Sequence, residues 1–215
     1  MVIDFYQTQA SPPVRAVALV AASLNVSLNP KPLDIMEKKE HLEDWYIKLN
    51  PQHTVPTIVD GDLALAESRA IMCYLANEYA PDSPLYPKCP RKRALVDRFL
   101  YFDIGTLFKS FADYFYPNLL YAQAYDPEKE PKVKESIGFL ETFLGDNDYL
   151  VDNAVTIADL AIATSLTLPD SMDYSLSAFP KVEAYYKRLQ GSPKWDEING
   201  LGIEIIRGFR SMRAQ

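Results

Sequence analysis

The chain has 215 residues, 48% of them apolar and 24% charged, and a formal net charge of −7. That length carries one large domain or two small ones around an ample core, and the composition is ordinary for a soluble globular protein. The acidic balance, with no basic run to offset it locally, excludes nucleic acid and anionic membrane as the main partner.

The opening residues MVIDFYQTQ carry no basic region and no long apolar run, so they are not read as a signal peptide. Residues 2–6 are short, apolar and bounded, which predicts a strand. In residues 14–25, Val14, Val17, Ala18, Ala21 and Leu24 recur at helical spacing, with Pro12 and Pro13 at the entry. A second strand over 29–34 contains Pro30 and Pro32 and is expected at a sheet edge. A short helix over 41–49 follows, then a β-branched strand over 54–60, a hairpin turn at Asp60-Gly61-Asp62 and a return strand over 63–66. Ile71, Tyr74, Leu75 and Tyr79 mark a helix over 67–79.

Four prolines between Pro81 and Pro90 then stop the helical period and read as a linker. Beyond it the pattern is helical throughout. Leu95, Phe99 and Phe102 share one face of a helix that continues, with interruptions, toward Leu120. Further helices are expected over 132–144, 160–168, 180–189 and 194–198. Thr156 and Asp159 have the capping-box form ahead of the 160–168 stretch. The chain divides into a small α+β domain (1–80), a linker (81–90) and an all-α helical domain (91–215).

Two cysteines, Cys73 and Cys89, are too few for a disulfide scaffold, and neither has a CxxC partner. Cys73 falls in an apolar helical pattern and reads as core. No stretch approaches the ~20 apolar residues of a membrane span. A cytoplasmic, reducing setting follows from these features.

Ser11 precedes a helix, where a serine ordinarily caps. Its other chemical use there needs no base. A helix N-terminus favours an anion, so a thiol bound beside the hydroxyl would be drawn toward thiolate. Lowering a thiol pKa by about two units from ~8.5 requires about 2.7 kcal/mol. One charge-assisted hydrogen bond supplies roughly 1.5–3 kcal/mol and the dipole about 0.3–1. A Ser-His-Asp triad is a poor alternative, with only two histidines and no GxSxG elbow.

In NPQHTVPT, Pro56 lies within an apparent strand. Either the strand is an edge with a trans proline, or Val55–Pro56 is cis and leaves the Val55 main chain free to bind an extended peptide. Glu67 and Ser68 start a helix and either cap it or hold the ammonium and carboxylate of an amino-acid head group. His41 and His53 could hold another carboxylate. They are too sparse for a metal site, because no cysteine or third histidine joins them.

In this order and spacing, ASPPVR, NPQHTVPT, ESRAIMCYL, LYPKCPRKRA, YFDIGTLFKSFADYFYP and TIADLAIA resemble the cytosolic glutathione transferases over essentially the whole chain. NPQHTVPT, LYPKCP and the GTL-x-KSFADY-x-YP pattern are similar to the insect delta class, with the epsilon class next. The resemblance implies a thioredoxin-like N-terminal domain followed by an all-α C-terminal domain. It also implies a homodimer, no cofactor, and glutathione as co-substrate for conjugation to hydrophobic electrophiles in detoxification. Ser11 then matches the donor to the glutathione sulfur, and Val55 and a cis Pro56 the clamp on the cysteinyl part. Glu67 and Ser68 match the γ-glutamyl anchors with Arg69 beside them, and His53 and His41 lie toward the glycyl end. Ile104, Phe108, Phe111, Tyr116, Leu120 and Phe209, with Ile205, fall where relatives line the electrophile pocket. Asp159 belongs to the helix-capping signature and serves folding.

Delta enzymes often read PGSAPCR where this chain has QASPPVR, so Ala10 replaces a glycine and Pro12 an alanine. Tyr6 is a rival sulfur donor, since other classes use a tyrosine near the chain start. A non-catalytic carrier of apolar ligands on the same fold is the alternative function.

Overall fold

The computed structural model describes residues 2–213. The ends of the two expected domains at 1 and 214–215 lie outside them. Strand β1 (Ile3–Gln7) alternates as a half-covered strand should: Ile3 and Phe5 are buried, while Asp4 and Tyr6 face the other way. It pairs in parallel with β2 (Leu28–Pro32) and antiparallel with β3 (Thr57–Asp60), which pairs with β4 (Leu63–Ala66). The order is β2-β1-β3-β4. A parallel pair needs a crossover, and α1 (Pro12–Ser23) supplies it. β2 is an edge, which is why Pro30 and Pro32 are tolerated, and it ends two residues short of the expected Asp34.

The expected helix over 41–49 is two pieces, a 3₁₀ turn at Glu40–Leu42 and α2 (Asp44–Leu49), parted by the extended Glu43. Tyr6 packs its ring against Trp45 and Tyr46 of α2. The strand expected from Thr54 starts only at Thr57, because the Val55–Pro56 peptide is cis and the ladder begins after it. Gly61 takes the hairpin turn with φ +61°. Helix α3 (Ser68–Tyr79) begins after Glu67, whose φ is +66°. This half is the thioredoxin-like unit.

The helical half starts at Pro90, the last residue of the expected linker. Helix α4 (Pro90–Phe102) runs through a π turn (Asp103–Leu107) into α5 (Phe108–Tyr121). Then come α6 (Glu130–Leu144), α7 (Ile157–Ser171) and α8 (Pro180–Leu189). α7 is buried almost all round, so it is the helix about which the others pack. It runs past the expected end at Leu168, through Pro169 to Ser171. The capping box forms: Asp159 accepts from the Thr156 N–H at 2.8 Å and the Thr156 hydroxyl at 2.6 Å. The short helix expected over 194–198 is instead a π turn (Asp196–Gly200) leading into α9 (Leu201–Arg213). Ile157 at the start of α7 donates its N–H to Leu85 of the linker, 2.9 Å.

Candidate functional site

Ser11 is the N-cap of α1 by backbone position, with φ −79° and ψ 118°, but its side chain makes no capping hydrogen bond. The local sequence explains this. A capping oxygen accepts from the second or third helical N–H. Pro12 and Pro13 occupy the first two helical positions and have none, so of the first three residues only Val14 keeps a main-chain donor. The same prolines remove two of the donors that would have favoured an anion. Of the polar groups at this helix start, the serine hydroxyl is left uncommitted.

The loop before it is fixed from both sides. The Ser11 N–H bonds the Thr8 carbonyl at 3.0 Å, and the Arg15 N–H bonds the Ser11 carbonyl at 3.1 Å. Ala10 adopts no positive φ, so a β-carbon is accommodated where delta enzymes often have glycine.

Ser11 opens on a cavity of about 420 Å³ between the two halves of the chain. Thr8, Ala10, Ser11 and Val55 line it from the sheet side, Ile35 and Met36 from the loop after β2. Tyr116, Leu119 and Leu120 of α5 and Ile205, Ile206 and Phe209 of α9 form the opposite walls. The lining is largely apolar, which suits hydrophobic ligands. Burial pushes the Tyr116 phenol up to about 12, opposed by the Arg15 and Arg69 charges. Tyr6 is turned onto α2 and does not line this space.

Of the expected pocket residues, Tyr116, Leu120, Phe209 and Ile205 meet here; Ile104, Phe108 and Phe111 do not. Phe111 is fully buried against Phe115, and Phe108 lies between the Arg69 guanidinium and the Tyr116 ring. Ile104 lines a separate cavity of about 460 Å³ on the α3–α4 face, with Glu67 and Arg69. Thr8, Ile35, Met36, Leu119 and Ile206 are additional walls. Leu119 and Ile206 could have been found by helical spacing from Tyr116 and Phe209.

Val55 stands outside the sheet register beside cis Pro56. The turn is held by a buried set the sequence did not advertise. Tyr46 Oη donates to the Thr54 carbonyl at 2.6 Å, and Asn50 Nδ2 donates to the same oxygen at 3.0 Å. Asn50 also reaches Thr57 Oγ1 at 3.1 Å. His41 and His53 lie together, with ring centroids 6.3 Å apart. His41 Nδ1 is buried without a partner among the described residues. Its imidazole is held below its ordinary value by burial, with His53 and Lys39 adding to the effect.

At the start of α3, Glu67 is exposed while Ser68 and Arg69 are buried. Arg69 Nη1 donates to Ser68 Oγ at 2.8 Å, which leaves the Ser68 hydroxyl proton free to donate outward. The rest of the guanidinium is spent on Asp103 and Ser165, so Arg69 holds Ser68 rather than facing the groove. Among the described residues no group of three or more His, Cys, Asp or Glu could hold a metal ion, and no helix is long and apolar enough to cross a membrane.

Two family models match in adjoining blocks: Glutathione S-transferase, N-terminal domain, over residues 5–83, and Glutathione S-transferase, C-terminal domain, over residues 87–193. The chain is similar to a delta-class glutathione transferase of Nilaparvata lugens at 39% identity, covering 98% of this chain and 99% of that one, TM-score 0.93. It is similar to an epsilon-class glutathione S-transferase of the housefly, Musca domestica, at 37% identity, with 98% of each chain covered and TM-score 0.90. A glutathione transferase homolog from Drosophila mojavensis, solved with bound glutathione, is 35% identical over 98% of this chain and 96% of that one, TM-score 0.88.

Proposed function

The chain belongs to the glutathione S-transferase family, and from that membership we propose that it conjugates glutathione to hydrophobic electrophiles, with Ser11 stabilising the thiolate. One observation carries the role of Ser11: it occupies a capping position without capping, and it lines an apolar cavity between the two halves. A sulfur seated there would accept the serine proton as a hydrogen bond, and that bond is stronger to thiolate than to thiol.

The tripeptide would lie along the sheet half. Val55 would pair with the cysteinyl main chain, Ser68 and Glu67 would hold the γ-glutamyl carboxylate and ammonium, and His41 and His53 would meet the glycyl carboxylate. The pairing of the two imidazoles, 6.3 Å between ring centroids, supports the last assignment. The electrophile would enter against Tyr116, Leu120 and Phe209. Reaction is then attack of the thiolate on an electrophilic carbon, with a leaving group displaced or an activated double bond saturated. Rate comes from holding both partners in one dry cavity and from favouring the anion. Glutathione is consumed as co-substrate.

A homodimer through the α3–α4 face is part of this reading, supported by Tyr101 and Leu95 of α4, 75% and 41% exposed. A cytoplasmic location agrees with glutathione as substrate. The decisive experiment is titration of thiolate absorbance in the glutathione complex. A bound-thiol pKa well below that of free glutathione in the wild type, returned toward the free value in Ser11→Ala, supports the role. A carrier of apolar ligands on this fold would show no lowered thiol pKa and no turnover.

A further inference from the structure

Arg15 of α1 is buried, 1% exposed, and all four of its protein partners are neutral oxygens. Nη1 donates to two successive main-chain carbonyls, Gln9 and Ala10, each at 2.9 Å. Nη2 donates to Thr167 Oγ1 of α7 at 2.7 Å and Nε to Asn199 Oδ1 at 3.2 Å, in the π turn that launches α9. Behind these acceptors the bonding closes on itself. Thr167 donates to the Thr164 carbonyl at 2.6 Å, and Asn199 Nδ2 donates to Thr164 Oγ1 at 3.2 Å. The α9 backbone presses on the same group: a β-carbon on Gly202 would fall 2.4 Å from Arg15 Cδ. The titratable groups facing Arg15 are the phenols of Tyr116 and Tyr186.

A charge buried among neutral acceptors is a costly way to fasten helices together. What the guanidinium uniquely provides is a planar fork that grips two adjacent carbonyls while reaching two other elements. Those carbonyls belong to the two residues immediately before Ser11. With Pro12 and Pro13 following, the Ser11 peptide has few other anchors: one bond to Thr8 ahead and one to Arg15's own N–H behind.

We infer that Arg15 is a positioning residue for the reaction: it fixes the Gln9–Ala10 main chain that carries Ser11 and registers that loop against α7 and the start of α9. The assignment rests on the role proposed for Ser11. Because Ile205, Ile206 and Phe209 of α9 form the electrophile wall, the same fork keeps sulfur side and electrophile side in one register.

The test compares Arg15→Lys, which keeps the charge and loses the fork, with wild type and Ser11→Ala. With glutathione and an aryl halide, Arg15→Lys should lower kcat by about 10–100-fold, the scale of an ångström-level misplacement. The apparent thiol pKa in the pH–rate profile should rise by about one unit. Glutathione Kd by calorimetry should stay within about threefold of wild type. A lower melting temperature with an unmoved pH profile would mean a role in folding alone and would overturn the assignment. If Arg15→Lys does not fold, Thr167→Val, which removes the Nη2 acceptor together with the hydroxyl's bond to the Thr164 carbonyl within α7, takes its place. A smaller pKa rise in the same direction supports the inference, and a wild-type profile overturns it. Ser11→Ala separates the two levels. If it leaves the thiol pKa unmoved, the serine role fails. If it moves the pKa while the Arg15 and Thr167 variants do not, only the positioning role fails.

Discussion

Arg69 of α3 directs Nε and Nη2 at a single oxygen of Asp103, fully buried in the π turn after α4, and so ties the sheet half of the chain to the helical half. The other oxygen, Oδ1, is buried with no partner among the described residues. Two ions taken out of water are tolerated only as a pair, so removing one strands the other. Arg69→Met or Asp103→Leu alone should lower unfolding free energy by about 3–5 kcal/mol, and the double variant should recover most of the loss. Chemical denaturation of the four proteins closes the cycle. A double variant as unstable as the worse single would show that the pair is not the origin of the cost. Arg69→Met should also raise the KM for glutathione, because Ser68 then loses the donor that orients its hydroxyl.

Ser11→Ala distinguishes a cap from a catalyst by stability as well as rate. A working serine cap costs roughly 0.5–2 kcal/mol when truncated to alanine. Here the hydroxyl caps nothing, so the melting midpoint should hardly move. Turnover of an aryl halide should nevertheless fall by about 10–100-fold, with little change in glutathione KM. Loss of stability on the scale of a cap, with turnover unchanged, would return Ser11 to a structural part.

Glu67 holds φ +66° ahead of α3, a conformation that disfavours any side chain. A glutamate kept there at a conformational cost of about 1–3 kcal/mol implies that its carboxylate is used. Glu67→Gly should therefore be more stable than Glu67→Ala by about 1 kcal/mol, since glycine relieves the backbone. Both should bind glutathione more weakly to the same degree. Calorimetry showing wild-type affinity in either variant would remove Glu67 from the binding site.

The βαβ-then-ββα order was legible because period-2 and period-3.6 patterns alternate cleanly there. The electrophile wall was less so, for a definable reason. A π turn at Asp103–Leu107 inserts an extra residue per turn, which rotates every later position. Position in the segment, as the resemblance gave it, does not fix which face a residue takes: Phe108 and Phe111 turn onto Tyr116 and Phe115, while Tyr116 and Leu120 reach the cavity. Helix α9 carries Gly202 and Gly208, which weaken a helical pattern. The reason for Gly202 is tertiary: no side chain fits against Arg15. The uncommitted state of Ser11, by contrast, is partly written in the sequence, since Pro13 deletes one of the two donors a cap would serve and leaves only the Val14 N–H.

Asp159 is the counter-case, a carboxylate whose partners are all structural. Its oxygens accept from the Leu150 and Thr156 N–H groups, the Thr156 hydroxyl and Tyr185 Oη, at 2.6–3.1 Å. Asp159→Ala would leave buried donors unmet at the start of the central helix, a loss of about 2–5 kcal/mol. Burial pushes the carboxyl above its ordinary value against the pull of these bonds. The folded chain therefore holds this proton to higher pH than the unfolded chain does. The associated stability is complete below the unfolded value of ~3.9 and is lost as pH rises through the folded one. The stability advantage of wild type over Asp159→Asn should accordingly shrink as pH rises from ~4. Thermal melts of both proteins across that range measure it; an advantage growing with pH would mean that the hydrogen bonds to the ionised form outweigh desolvation. Glutathione affinity should be the same in both, because no atom of this cluster reaches the cavity at Ser11.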